Sequence, residues 1–228
     1  MRKILIWLML GLVSPTGSAA EQESCRNDPA LIETDPAAIE ALIKPHKLRI
    51  LTFVGYSGAG YEHPDQILKR AARELDKRRP DAFMVNIGAT SDGIGAIYRL
   101  AKSRGFKTMG IVSSLVKAEH VSLSPCVDQV YFIQDSTWGG VLPGSNQLSP
   151  TSASIVKVSD EIIGMGGGEI ARDEMMAARA SGKSVTFVPA DMNHRIAIDK
   201  AKSRGQKTQA EFKGAAHALF VQQPRAGH

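Results

Sequence analysis

Six clusters rich in glycine and small hydroxyl residues punctuate this 228-residue chain, and each follows directly on an apolar run. They are Gly55-Tyr56-Ser57-Gly58-Ala59-Gly60, Gly88 to Gly95, Ser113-Ser114, Asp135 to Gly140, Gly164 to Glu169, and Pro189 to Asn193. Glycine lets backbone approach a ligand closely, and free N–H groups at the start of a following helix favour an anion or a sugar-phosphate. The binding candidates are therefore Gly55, Ser57, Gly58, Gly88, Thr90, Asp92, Gly93, Ser136, Thr137, Gly166, Gly167, Gly168 and Glu169. A tight strand-to-helix turn wants glycine even without a ligand, so one such loop decides nothing. Their recurrence at one predicted sheet edge points to a small nucleotide-like or sugar-phosphate ligand.

Carboxylates stand beside these loops. Glu169 and Asp173 are four residues apart on a predicted helix, with Arg172 next to them, and Glu174 lies about 100° further round, off the face expected to meet the ligand. The candidates for catalysis are Asp173, Glu174 and Arg172. Two readings of Glu169 and Asp173 stay open: they complement the helix dipole, or they hydrogen-bond ribose hydroxyls. A phosphate would then sit at the Thr90 to Gly93 turn, where Asp92 could also be a helix N-cap. Gly55-Tyr56-Ser57-Gly58-Ala59 approaches the G-x-S-x-G elbow of serine hydrolases, with Ser57 as nucleophile and Asp191 with His194 or His217 as partners. Ala59 stands where the last glycine belongs, and too little chain precedes it to build the strands that lead into such an elbow. The six histidines show no i, i+4 pair, and neither a metal site nor a cofactor is expected.

The elements that must position these groups alternate. Apolar runs at Leu48 to Val54, Ala82 to Ile87, Lys107 to Ser113, Val127 to Gln134, Glu161 to Met165 and Ser184 to Val188 read as strands covered on both faces. Amphipathic stretches at about His63 to Arg79, Asp92 to Arg104, Ile170 to Ser181, Arg195 to Arg204 and Gln209 to Val221 read as helices. The expected fold is α/β: a single Rossmann-like, doubly wound, mostly parallel sheet with helices on both faces. Ser136 to Ser154 reads as a long loop, of the length that more often serves function than connection. The phrase AKSRGxKT occurs at Ala101 and again at Ala201, a basic last helical turn followed by a capping glycine.

Composition sets the compartment and excludes some partners. Apolar residues make up 43% and charged residues 22%, a balance that can bury a core. Arg2 and Lys3, the apolar run Ile4 to Val13, and small residues through Ala20 form a secretory signal peptide, too short to span a bilayer. The expected organisation is a signal peptide over 1–20, an N-terminal tail over 21–47, the Rossmann-like domain over 48–223 and a C-terminal tail over 224–228. The mature protein is expected in the periplasm or secreted, with no membrane association after cleavage. Losing Arg2 and Lys3 leaves 26 basic against 23 acidic residues, scattered without interleaved aromatics, so no nucleic-acid partner is expected. Cys25 and Cys126 survive cleavage, and their even number permits one disulfide; two free thiols is the other reading.

The order of these pieces resembles the SMF/LOG (SLOG) superfamily, a Rossmann-like group that includes the LOG phosphoribohydrolases. Phe53 to Gly60, Val85 to Ala96 and Ser159 to Glu174 stand where that group has its first loop, its glycine-rich turn and its P-G-G-x-G-T-x-x-E signature. The resemblance implies a nucleotide-type pocket, a homodimer and glycosidic-bond hydrolysis. The sequence departs from it: Met165 replaces the proline, Glu169 and Ile170 replace the Gly-Thr pair, and Asp173 stands for the glutamate with Glu174 beside it. Thr151 and Ser152 replace an Arg-Lys pair. The expectation is therefore an exported binding protein with weak or altered hydrolase activity; a non-enzymatic periplasmic interaction or sensing module is the alternative from another class.

Overall fold

Seven parallel strands form one sheet in the computed structural model, which describes Cys25, residues 28–208 and residues 210–221. They are β1 (Ala30–Thr34), β2 (Arg49–Gly55), β3 (Phe83–Ile87), β4 (Lys107–Ser113), β5 (Gln129–Ile133), β6 (Glu161–Met165) and β7 (Ser184–Val188), in the spatial order β1-β5-β4-β3-β2-β6-β7. From β2 the chain winds outward through β3, β4 and β5, then crosses back to place β6 on the other side of β2. The topological switch therefore lies between β2 and β6, where such sheets open a crevice at their carboxyl ends. The expected signal peptide at 1–20 and the expected tail at 224–228 lie outside the described residues.

Side-chain alternation along the strands builds two cores. Leu51 and Phe53 of β2, Val85 and Ile87 of β3, and Val130 and Phe132 of β5 share one cluster with α2 (Pro64–Asp76), α3 (Ile97–Lys102) and α4 (Leu115–Ala118). Ile50, Met84, Met109, Ile111, Tyr131 and Ile133 face the other way, onto α1 (Ile39–Ile43) and α5 (Pro150–Val158). Val54 and Ile162 continue that second face against α6 (Glu169–Ala180) and α8 (Gly214–Phe220). The sheet is thus covered on both sides. The remaining helix, α7 (His194–Ser203), follows β7.

Three features differ from expectation. Residues 30–47, expected as tail, carry β1 and α1; β1 is a short edge strand on β5 whose Leu31 is exposed, so it lacks the apolar density that marks the inner strands. The expected loop Ser136 to Ser154 ends at Ser149, where α5 begins with Ser149 as N-cap and Pro150 at the first helical position. The helix expected from Asp92 is a 3-10 turn over Gly93–Ala96 that leads into α3. Cys25 and Cys126 form a disulfide with 4.3 Å between their Cα atoms, tying the chain before β1 to the chain before β5. Among the described residues, no helix is long and apolar enough to cross a membrane.

Candidate functional site

A cleft of about 450 Å³ opens at the carboxyl ends of β2, β3 and β4, between the second face of the sheet and the starts of α5 and α6. That volume lies within the range of small-ligand pockets. Its floor carries Thr52, Asn86, Ser113, Thr151 and Glu174, and its mouth carries the exposed apolar side chains Val121, Trp138 and Ile170. The polar floor follows from register: Thr52 and Asn86 sit at paired positions of β2 and β3, on the face that packs against α5.

Proton accounting fixes what the floor presents. Ser159 donates its hydroxyl proton to the Ile155 carbonyl (2.6 Å), so in its 2.6 Å contact with Thr52 it must accept. Thr52 has then spent its proton and accepts from Asn86 Nδ2 at 3.1 Å. Asn86 Oδ1 is left fully buried with no partner, an acceptor on a side chain that lines the cleft. A buried acceptor left unpaired costs about 1–3 kcal/mol, which a ligand donor would recover.

Glu174 is the ionisable side chain of the cleft. It is buried, and its Oε1 accepts from Ser152 Oγ at 2.7 Å. Burial pushes its carboxyl up to about 7; the Ser152 bond opposes this, and the negative charge of Asp173 adds to it. Ser152 Oγ also accepts from Gly140 N at 2.8 Å, and Asp173 Oδ2 accepts from Val141 N at 2.9 Å. These two contacts latch the segment just after Trp138 onto α5 and α6. Asp135 anchors the loop at its other end by accepting from the Thr151 and Thr137 amides. Burial alone would raise the Asp135 carboxyl, but the bonds from Thr151 and Thr137 outweigh it and hold it below the usual range.

The expected site residues divide. Gly55, Ser57, Gly88, Thr90 and Glu174 line the cleft. Gly58, Asp92, Gly93, Ser136, Thr137, Gly166, Gly167, Gly168, Glu169, Arg172 and Asp173 are not among its lining residues. The loops at Gly88 to Gly95 and Gly166 to Glu169 do share one end of the parallel sheet. At the switch point, however, the glycines make room for protein. A Cβ on Gly55 would lie 2.2 Å from the Tyr61 hydroxyl, and one on Gly166 would lie 2.6 Å from the Tyr56 ring. Tyr61 donates to the Met165 carbonyl at 2.8 Å and so bridges the ends of β2 and β6. A Cβ on Gly88 would meet nothing, because Ala89 turns the chain aside in a left-handed conformation (φ 54°).

On α6 the sequence expectation is reversed. Glu174, placed off the ligand face, lines the cleft, because Ala171, Glu174, Met175 and Ala178 form the helix's buried stripe. Asp173 faces the loop and holds Arg172 at 2.8 Å, and Glu169 is exposed. Glu169 stands in the first turn with Gly168 as N-cap, a position that suits the helix dipole. Asn86 and Trp138 escaped sequence reasoning. Asn86 could have been found as a polar residue interrupting the apolar run of β3. Among the described residues no histidine lines the cleft beside Ser57, and His217 lines a separate cavity with Asp191.

Comparison with known proteins yields solved structures that resemble the chain at low identity. No protein-family model matches the chain, and no curated protein matches it. Among solved structures it is similar to the structural-genomics target TM1055, at 20% identity and a TM-score of 0.44 over 60% of this chain and 72% of that one. It is also similar to the molybdenum cofactor carrier protein of Chlamydomonas reinhardtii, at 16% identity and a TM-score of 0.45 over 61% and 76% of the two chains. A second structure of that carrier gives 17% identity and 0.45 over 62% and 76%.

Proposed function

We propose that this protein binds a small nucleotide-like ligand, a class that here includes nucleosides, nucleotides and sugar derivatives, in the cleft above Asn86 and Glu174. The observation that carries this reading is the unpartnered, fully buried Asn86 Oδ1 on a pocket-sized cleft beside the topological switch. Such an atom belongs in a folded core only if something donates to it. Trp138 at the mouth offers a flat apolar surface to a planar or sugar ring.

Efficient hydrolysis of nucleoside monophosphates is not part of this reading. Thr151 and Ser152 are neutral and buried, and Ser152 is committed to Gly140 and Glu174. Asp173 is engaged by Val141 and Arg172. Glu174 remains as the one acid in the cleft, and one preorganised group supplies only part of the stabilisation that a glycosidic transition state needs. Free-base release from the nucleoside monophosphates should stay at background; rapid release abolished by Glu174→Gln would contradict this.

The binding reading is tested by thermal-shift screening of wild type and Gly88→Val against ribonucleosides, their 5′-monophosphates and pentoses. Stabilisation of wild type but not of the variant is expected. A wild type that no compound stabilises would refute the reading.

A further inference from the structure

Resting on that reading, we infer that the cleft selects an uncharged, hydroxyl-bearing nucleoside over its phosphorylated form. Among the described residues, no Lys, Arg or His lines the cleft, whose one ionisable side chain is the carboxyl of Glu174. A phosphate seated there finds no side-chain counter-charge and, above pH 7 where Glu174 is ionised, meets a group of its own sign. Arg172, on the same helix turn as Glu174, is turned to Asp173 through both Nε and Nη2.

Part of the loop backbone is already committed within the protein. In the turn after β3, Asp92 N donates to Thr90 Oγ1, Ile94 N to the Tyr56 carbonyl, and Gly95 N to the Asp92 carbonyl. In the turn after β6, Gly166 N is spent on the Val188 carbonyl. These four amides therefore hold the loops together and are not offered to a phosphate.

Beside the Thr151 hydroxyl, which can donate, the floor offers acceptors. Asn86 Oδ1 is an acceptor by the proton accounting above, and Glu174 Oε1 is satisfied while Oε2 has no hydrogen bond within the described protein. Asn86 Oδ1, and Glu174 Oε2 once the carboxyl is ionised, call for donors. Ribose hydroxyls donate, whereas the oxygens of an ionised phosphate only accept. The donor-bearing sugar then lies on Asn86 and Glu174, and the base lies toward Trp138 and Ile170 at the mouth.

The test is equilibrium titration of the purified, disulfide-bonded protein with the four ribonucleosides, their 5′-monophosphates and their 2′,3′-dideoxy analogues. At least one nucleoside should bind tenfold or more tightly than its monophosphate, and tenfold or more tightly than its dideoxy analogue. A monophosphate that binds as well as its nucleoside overturns the inference and leaves the broader ligand reading standing. A dideoxy analogue that binds equally also overturns it, since the floor is then not reading hydroxyls. If no member of the panel binds, the inference fails, and the ligand reading fails with it unless a pentose stabilises the protein in the thermal-shift screen.

Discussion

Glu174 shows how one buried carboxyl couples the cleft to stability. Its folded pKa of about 7 lies above its ordinary value near 4.5, so the native state holds a proton that the unfolded state has released. The sign follows: stability falls as pH rises from about 4.5 through 7, and the penalty is complete above 7. A displacement of that size corresponds to roughly 3 kcal/mol at most. Glu174→Gln keeps the shape and removes the ionisation, so its gain in melting temperature over wild type should be larger at pH 8 than at pH 5. Equal gains at both pH values would show that the carboxyl is not titrating in this range. The glycines divide by the same close inspection. Gly88→Val adds its side chain into open cleft, so the melting temperature should hold within the error of a surface change. Gly167→Val should unfold easily, because its φ of 127° disfavours any side chain and its Cβ would stand 2.5 Å from that of Ala171. Thermal melts of both variants check this, and the prediction fails if the two melt alike. From sequence these glycines look equivalent, since all follow apolar runs; only the tertiary fold reveals which ones face Tyr56, Tyr61 or Ala171.

Strands with a dense apolar run were legible: β4, β6 and the edge strand β7 occupy the expected spans, and β2, β3 and β5 shift by one or two residues. The two copies of AKSRG also cap as their composition suggests, with Phe106 N reaching the Ala101 carbonyl and Gln206 N the Ala201 carbonyl. What hid was whatever lacked periodic apolar signal. Helix α5 carries buried Thr151, Ser152 and Ser154, so it reads as loop, and Ser149-Pro150 was its one local start signal. The stripe Ala171, Glu174, Met175 and Ala178 did hold Glu174 on the inner face of α6, but a charged residue there reads as an interruption until the cleft is seen. Edge strand β1 was invisible for its exposure, and the disulfide is what anchors its chain end. Closing a loop across 101 residues should stabilise the fold by about 2–4 kcal/mol. Urea midpoints with and without reductant measure it: the reduced protein should unfold at lower urea, with β1 exchanging its amides first. Identical midpoints would mean that the bridge contributes nothing.

At the scale of the whole molecule, a doubly wound parallel sheet brings four loops and two helix starts to one edge, and the cleft forms where β2 separates the two directions of winding. The order of strands thus puts a polar floor, legible only as Thr52 and Asn86 within apolar runs, under an apolar mouth. We propose that the chain reaches an oxidising compartment through removal of residues 1–20, which accords with a Cys25–Cys126 bridge. N-terminal sequencing of protein recovered from a secreting host should begin near Glu21, and an intact Met1 would contradict it. The account as a whole depends on the cleft being a binding site. Trp7 and Trp138 are the two tryptophans of the chain, and a protein lacking residues 1–20 retains Trp138 alone, so its emission reports from the mouth of the cleft. The decisive measurement is its Trp138 emission during titration with the ribonucleosides, repeated with Gly88→Val added. A saturable change in Trp138 emission that Gly88→Val abolishes is the predicted result; no change with any ribonucleoside, or the same titration in both proteins, would contradict it.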